Sequence, residues 1–142
     1  MARRMTKDEW QGFLSEGTRT AKLATVRADG RPHVAPVWFL LDGDDVVFNT
    51  GNDTVKGRNL LRDGRIALCV DNEVPPFDFV VVEGTVQLSE DLAEVRYWAT
   101  RIAARYVGSD LAEQFGARNG VPGEMLARVH LTKAVALADI AD

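Results

Sequence analysis

The strongest chemical signal in the chain is the segment Thr50-Gly51-Asn52-Asp53-Thr54-Val55-Lys56-Gly57-Arg58-Asn59. Turn-forming residues follow a β-branched, apolar run and lead into two cations, the pattern of a strand, a turn and a helix start. The first N–H groups of a helix lack intrahelical partners and its dipole favours negative charge, so this start suits a phosphate or carboxylate. Thr50 and Thr54 add hydroxyls. Lys56 and Asn59 are three apart and share a helix face, whereas Arg58 need not join them. Lys56, Arg58, Arg62 and Arg65 stand against Asp63 alone, a local charge of +3. The same residues also describe a capped surface helix with solvated cations, and residue types alone leave both readings open. A Walker-type phosphate loop is excluded, because no Gly-Lys-Ser/Thr ends the segment.

A second candidate is His33-Val34-Ala35-Pro36-Val37-Trp38-Phe39. Pro36 cannot donate to a ladder, so it marks an edge or a bulge and leaves backbone groups free to meet the polar edge of a heterocycle. Trp38 offers an aromatic surface there, or is simply a core residue of an edge strand. The loop Pro75-Pro76-Phe77 can hold an aromatic ring rigidly beside a pocket, or only turn a corner. Acid, base and nucleophile candidates are scarce. His33 and His130 are the two histidines, too few for a histidine-rich metal centre. Cys69 sits in a buried-strand pattern, as an inert small hydrophobe would. Ser15, Ser89 and Ser109 have no nucleophile-elbow context, and Asp44-Asp45 falls in a turn. An anion site without acid–base machinery fits a protein whose cofactor carries the chemistry, and fits a non-catalytic binding module equally well.

The elements that must position these residues follow from patterning. Thr6 and Glu9 have capping-box spacing, and Trp10, Phe13 and Leu14 give a helix over about 7–16 one apolar face. Strands are expected over 20–27 and 33–41, joined by the Asp29-Gly30 hairpin signal, and over 46–50. Thr54 caps a short helix to Arg62. Strands over 66–70 and 79–88 bracket the proline loop. Ser89 caps a long helix over 90–107 with Leu92, Val95, Ala99, Ile102 and Tyr106 on one face. A weaker helix covers 109–115, 116–123 is loop, and 126–138 is the last strand. Six mainly antiparallel strands without crossover helices favour a closed or nearly closed barrel with appended helices.

Composition sets the outer limits. A chain of 142 residues is expected to form one domain, 1–142, with a core of its own. A net charge of −4 argues against a general nucleic-acid binder. One cysteine excludes an internal disulfide framework and a multi-cysteine zinc site, and a reducing, cytoplasmic compartment fits. No apolar run nears the ~20 residues of a membrane span. The Arg3-Arg4 pair precedes Thr6-Lys7-Asp8-Glu9, so no apolar signal core follows it.

Several motifs then recur in a specific order. They are Leu23-Ala24-Thr25-Val26-Arg27, Asp29-Gly30-Arg31-Pro32-His33, Pro36-Val37-Trp38-Phe39, Thr50, Lys56-Gly57-Arg58-Asn59-Leu60, Asp63-Gly64-Arg65-Ile66-Ala67-Leu68 and Val82-Glu83-Gly84-Thr85-Val86. Together they resemble the pyridoxamine 5'-phosphate oxidase-like split β-barrel family, and within it the actinobacterial branch that uses the deazaflavin coenzyme F420. The resemblance implies a mainly β (α+β), FMN-binding-like barrel of six antiparallel strands with peripheral helices. It further implies a homodimer with two cofactor sites at the subunit interface. On this resemblance Thr50, Lys56, Arg58 and Asn59 hold phosphate, and Ala35, Pro36, Val37 and Trp38 border the ring system. Phe77 reaches the cofactor of the other subunit. Thr54 stands where relatives can carry another basic residue. The implied activity is F420H2-dependent hydride transfer to a small electrophilic or conjugated substrate. The alternatives are an FMN-dependent oxidase or reductase of the same fold, and a non-catalytic F420 or haem binder. No metal, nucleic-acid or membrane role is implied.

Overall fold

The computed structural model describes residues 1–142. The chain runs β1 (Arg3–Arg4), α1 (Lys7–Ser15), β2 (Ala21–Val26), β3 (Pro32–Val37), β4 (Leu40–Asp42), β5 (Asp45–Gly51) and α2 (Val55–Arg62). It continues through β6 (Arg65–Asp71), β7 (Phe79–Ser89), α3 (Leu92–Val107), α4 (Ser109–Asn119) and β8 (Glu124–Ala138). The strands pair antiparallel in the order β3-β2-β6-β7-β8-β5-β4, with β1 added to β8. The two end strands, β3 and β4, are consecutive in the chain and joined only by Trp38 and Phe39. The sheet therefore curls until its edges nearly meet, giving an α+β split β-barrel.

Sequence patterning predicts six strands, and the structure has eight. One addition is the two-residue β1. The other arises because the strand expected over 33–41 breaks at Trp38-Phe39, where β3 pairs only with β2 and β4 only with β5. Pro36 lies on the open edge strand, as its missing N–H requires. At the break, side chains replace the ladder. The Phe39 N–H donates to the Tyr106 hydroxyl at 3.3 Å, and Arg105 donates to the Phe39 carbonyl at 2.8 Å. Arg105 also reaches the carbonyls of Leu14 (2.7 Å) and Gly17 (3.0 Å), and the Tyr106 hydroxyl donates to Arg19 O (2.8 Å). Two adjacent α3 residues thus stitch the barrel seam to the end of α1.

Local signals at the other elements hold with small shifts. Thr6 and Glu9 form the expected capping box of α1, which buries Phe13 and Leu14. α3 is capped by Asp91 rather than Ser89. Ser89 is still in the β7 ladder, opposite Leu126, and its hydroxyl bonds the Glu94 carboxylate instead. On α3 the buried face includes Trp98, while Leu92 is exposed. α4 extends to Asn119, past the expected end at 115. No helix is long and apolar enough to cross a membrane.

Alternation along the strands sends Leu23, Phe48, Leu68, Val80 and Val82 inward with Leu14 and Phe39. Each such burial is worth roughly 1.5–3 kcal/mol. A second cluster of Val47, Val95, Trp98, Ile102 and Leu126 glues α3 to the outside of β5 and β8. Across β3, β2, β6, β7 and β8 the other phase forms an outward face. Pro36, Lys22, Cys69, Val81 and Val135 make one row, and Val34, Ala24 and Ala67 begin the next.

Candidate cofactor site

The site grows from the turn between β5 and α2. Thr54 caps the helix: its hydroxyl accepts from Gly57 N–H (3.0 Å) and donates to the Gly51 carbonyl (2.8 Å). Arg58 N–H goes to Thr54 O (2.9 Å), which leaves the N–H groups of Val55 and Lys56 without backbone partners. Gly57 is obligatory here, because a Cβ would lie 1.9 Å from the Gly51 carbonyl oxygen. The first helical turn therefore rests directly on the end of β5. Thr50 lies beneath it, 3% exposed, with its hydroxyl 3.3 Å from that of Thr54.

The cations of this segment part company. Arg65 is bound to Asp63 at 2.8 Å, and that hydrogen-bonded pairing holds the Asp63 carboxyl down at about 2. Arg62 donates to Asn59 Oδ1 (3.1 Å) and to the Val26 carbonyl. Asn59 is 3% exposed and its amide donates to Thr25 Oγ1 at 2.9 Å, so it ties α2 to β2 and anchors Arg62. Lys56 and Arg58 enter no ion pair. They point into different hollows. Arg58 joins Arg27, Arg31 and Arg62 around a groove of about 300 Å³, whose one carboxylate, Asp29, is bound to Arg31 at 2.8 Å. Lys56 is half-buried in a cleft of about 260 Å³ with Pro36, Val37 and Trp38. That cleft brings together the two segments picked out from sequence.

The Trp38 ring is held by stacking on Tyr106, centroids 5.1 Å apart and planes 4° from parallel, with Phe115 tilted against it at 6.1 Å. Ala35 is half-buried on the same strand, two residues from His33, whose Nδ1 is buried with no hydrogen-bond partner. Open helix N–H groups and an unpaired lysine are polar capacity that the fold leaves unused, and they fit a ligand with an acidic tail. Phe77 lies elsewhere. It sits at φ 67°, the left-handed region, and lines a separate hollow of about 670 Å³ with Lys22, Cys69 and Phe79 on the outward face. Burial, and then Asp71, push the Cys69 thiol up, which keeps it protonated.

Sequence reasoning misses two residues of the cleft, Asn49 and Asn119, and the nearby Glu124. Asn49 faces it from β5, opposite the buried run of valines, and a polar residue inside Val46–Thr50 was the available signal. Asn119 falls within the loop expected over 116–123, because helix rules cannot see that Gly116 and Gly120 let α4 lie flat on α3. Glu124 opens β8 opposite Gly51. Its half-buried carboxyl is raised by desolvation, with Lys56 opposing and Asp53 reinforcing the shift.

A family model described as pyridoxamine 5'-phosphate oxidase matches residues 6–135. Among solved structures, the conserved hypothetical protein Rv2991 of Mycobacterium tuberculosis is similar at 21% identity and TM-score 0.81, over 93% of this chain and 84% of that one. An F420 reductase is similar at 26% identity and TM-score 0.68, over 87% of this chain and 94% of that one. HutZ, the haem storage protein of Vibrio cholerae, shares the fold at 18% identity and TM-score 0.72, over 92% of this chain and 94% of its own.

Proposed function

The chain belongs to the pyridoxamine 5'-phosphate oxidase family, and from that premise we propose that it is a reductase working with coenzyme F420 on small electrophilic or conjugated molecules. The observation that carries the reading is unpaired Lys56 on a cleft walled by Val37 and Trp38, at the start of a helix whose first two N–H groups have no backbone partner. The likeness to an F420 reductase supports the choice of coenzyme. When bound, the reduced deazaflavin supplies the hydride.

The chain's own residues bind and orient. Lys56 and the N–H groups of Val55 and Lys56 hold phosphate, with Thr50 and Thr54 shaping the turn beneath. Ala35, Pro36 and Val37 border the ring system, and Trp38 walls it with an aromatic face. Arg58 presents a cation on the neighbouring groove, where a longer acidic tail gains more than the short tail of FMN. Asn59 acts through Arg62 and Thr25, as a positioning residue. The outward face carries apolar Val34 (66% exposed), Val135 (44%) and Val26 (38%), which supports a homodimer formed there. Phe77 shares that side of the sheet with Lys22 and Cys69, and in a dimer it completes the partner's site.

A fluorescence titration with F420 and FMN side by side, on wild type and Lys56→Ala, tests the cofactor. F420 is expected to bind more tightly, and Lys56→Ala to weaken it. Protein that purifies yellow with bound flavin and ignores F420 points to the FMN-dependent alternative. Tight F420 binding without turnover of any member of an electrophile panel points to a carrier.

A further inference from the structure

The longest strand, β8, has a gap in its pairing. On the side away from β7 it meets β5 as far as His130 and β1 from Leu137 onward, and no strand lies between. One bond crosses there, from the Met5 N–H to the Ala136 carbonyl at 2.9 Å. Backbone groups alternate in direction along a strand, so Ala134 turns its N–H and C=O to that same side, where no ladder partner stands. Helix α1 bridges the gap, because Lys7 and Gln11 both bond Asp44 in the β4–β5 turn, at 3.1 and 3.0 Å. Between helix and strand lies a hollow of about 530 Å³, within the ~300–1,000 Å³ of small-molecule sites. We infer that this hollow binds a flat aromatic carboxylate, held at its acidic end by Arg4. It shares no lining residue with the coenzyme cleft, and the inference does not depend on the coenzyme reading.

Shape and charge select that class. Trp10 of α1 and the small Ala134 and Ala136 of β8 line the hollow, an aromatic face beside a low strand surface that suits a ring plane. Met5 adds a pliable apolar side chain. Arg4 and Lys133 are the charged members of the lining, and neither enters an ion pair. No carboxylate lines the hollow, so a bound cation would lack a counter-charge where an anion finds two. The two cations differ in their surroundings. Lys133 stands directly opposite Glu83 in the β7 ladder, whose carboxylate answers part of its charge. Arg4 stands opposite Leu137, with no such partner, and its planar fork matches a carboxylate bidentately. The free N–H of Ala134 offers a further donor. Val135, the last member of the outward row, forms part of the rim, so the site borders the proposed homodimer face and is tested on the assembled protein.

The probe is naphthoate, with naphthylmethanol and naphthylmethylammonium as neutral and cationic molecules of like shape. Each is titrated into wild type, Arg4→Gln, Lys133→Gln and Ala134→Phe, and followed by calorimetry and by the indole N–H NMR signal of Trp10. Naphthoate is expected to shift that signal and to bind at least about tenfold more tightly than the alcohol, with the ammonium weakest. Arg4→Gln should weaken naphthoate at least about tenfold, and Lys133→Gln by less than about threefold. Ala134→Phe fills the hollow and should abolish binding. Arg4→Gln changes an exposed side chain, so its loss of binding does not reflect a failure to fold. Equal binding of the three probes, unchanged naphthoate affinity in Arg4→Gln, or a shift of the Trp38 indole in place of Trp10 overturns the proposal. F420 is titrated into the same samples. A parallel loss of F420 affinity in Arg4→Gln would put both ligands in one site and also overturns it. Naphthoate binding at Trp10 with no F420 binding leaves this site standing and defeats the coenzyme reading alone.

Discussion

Lys56 and Asn59 show how one helix turn separates two tasks. Both are polar and three residues apart, yet Lys56 keeps its charge unpaired in a cleft while Asn59 is consumed by Thr25 and Arg62. Lys56→Ala should cost coenzyme binding about 1.5–3 kcal/mol, the range of a hydrogen bond to a charged group, read as the ratio of dissociation constants. An unchanged constant removes Lys56 from the site. Glu124 gives a pH signature. Burial lifts its carboxyl above the ordinary 4.5, so the folded protein holds that proton more tightly than the unfolded chain does. Its contribution to stability is fullest below 4.5 and is lost as pH rises through the folded value. Glu124→Gln should therefore melt higher than wild type at pH 7, the gap closing as pH falls to about 4. A gap that widens on acidification contradicts the assigned environment.

Between elements, two junctions matter most. At the first, α2 sits on β5 only because residue 57 has no side chain. Gly57→Ala must push the helix off the Gly51 carbonyl. The expected cost is about 1–3 kcal/mol, as for overpacking, together with weaker coenzyme binding because the open N–H groups move. Thermal melts and the F420 titration read the two effects separately. At the second junction, Arg105 and Tyr106 supply hydrogen bonds to the Phe39 backbone, at the seam where no strand does. Arg105→Met keeps the packing stem but strands three carbonyls, with an expected loss of about 1.5–3 kcal/mol in denaturant unfolding. A loss below about 0.5 kcal/mol, the floor for a net hydrogen bond, would mean that water replaces the guanidinium freely.

For the molecule as a whole, the outward face is the open question that assembly answers. Its exposed valines lie on the side of the sheet away from the barrel interior, and Phe77 belongs to the same side. If the homodimer forms there, Val34→Glu should yield a monomer in analytical ultracentrifugation. It should also weaken coenzyme binding, because the site then lacks the partner's Phe77. A variant that remains dimeric places the interface elsewhere.

Local order along the chain was enough to read the capping box at Thr6, the hairpin at Asp29-Gly30, the Thr54 cap and Pro36 on an edge, because each depends on residues within one turn or one ladder step. The anion-suited turn was legible for the same reason. The split of the strand at Trp38 was not, since the groups that bind Phe39 come from 66 and 67 residues away. Nor was the inward turn of Asn59, which answers to Thr25, 34 residues earlier. Asn49 and Asn119 come to one cleft only once the sheet has closed and two glycines have laid α4 on α3. Periodicity sorts a residue to a face. What that face meets is set by long-range packing, and here that packing decides which polar groups remain free to bind.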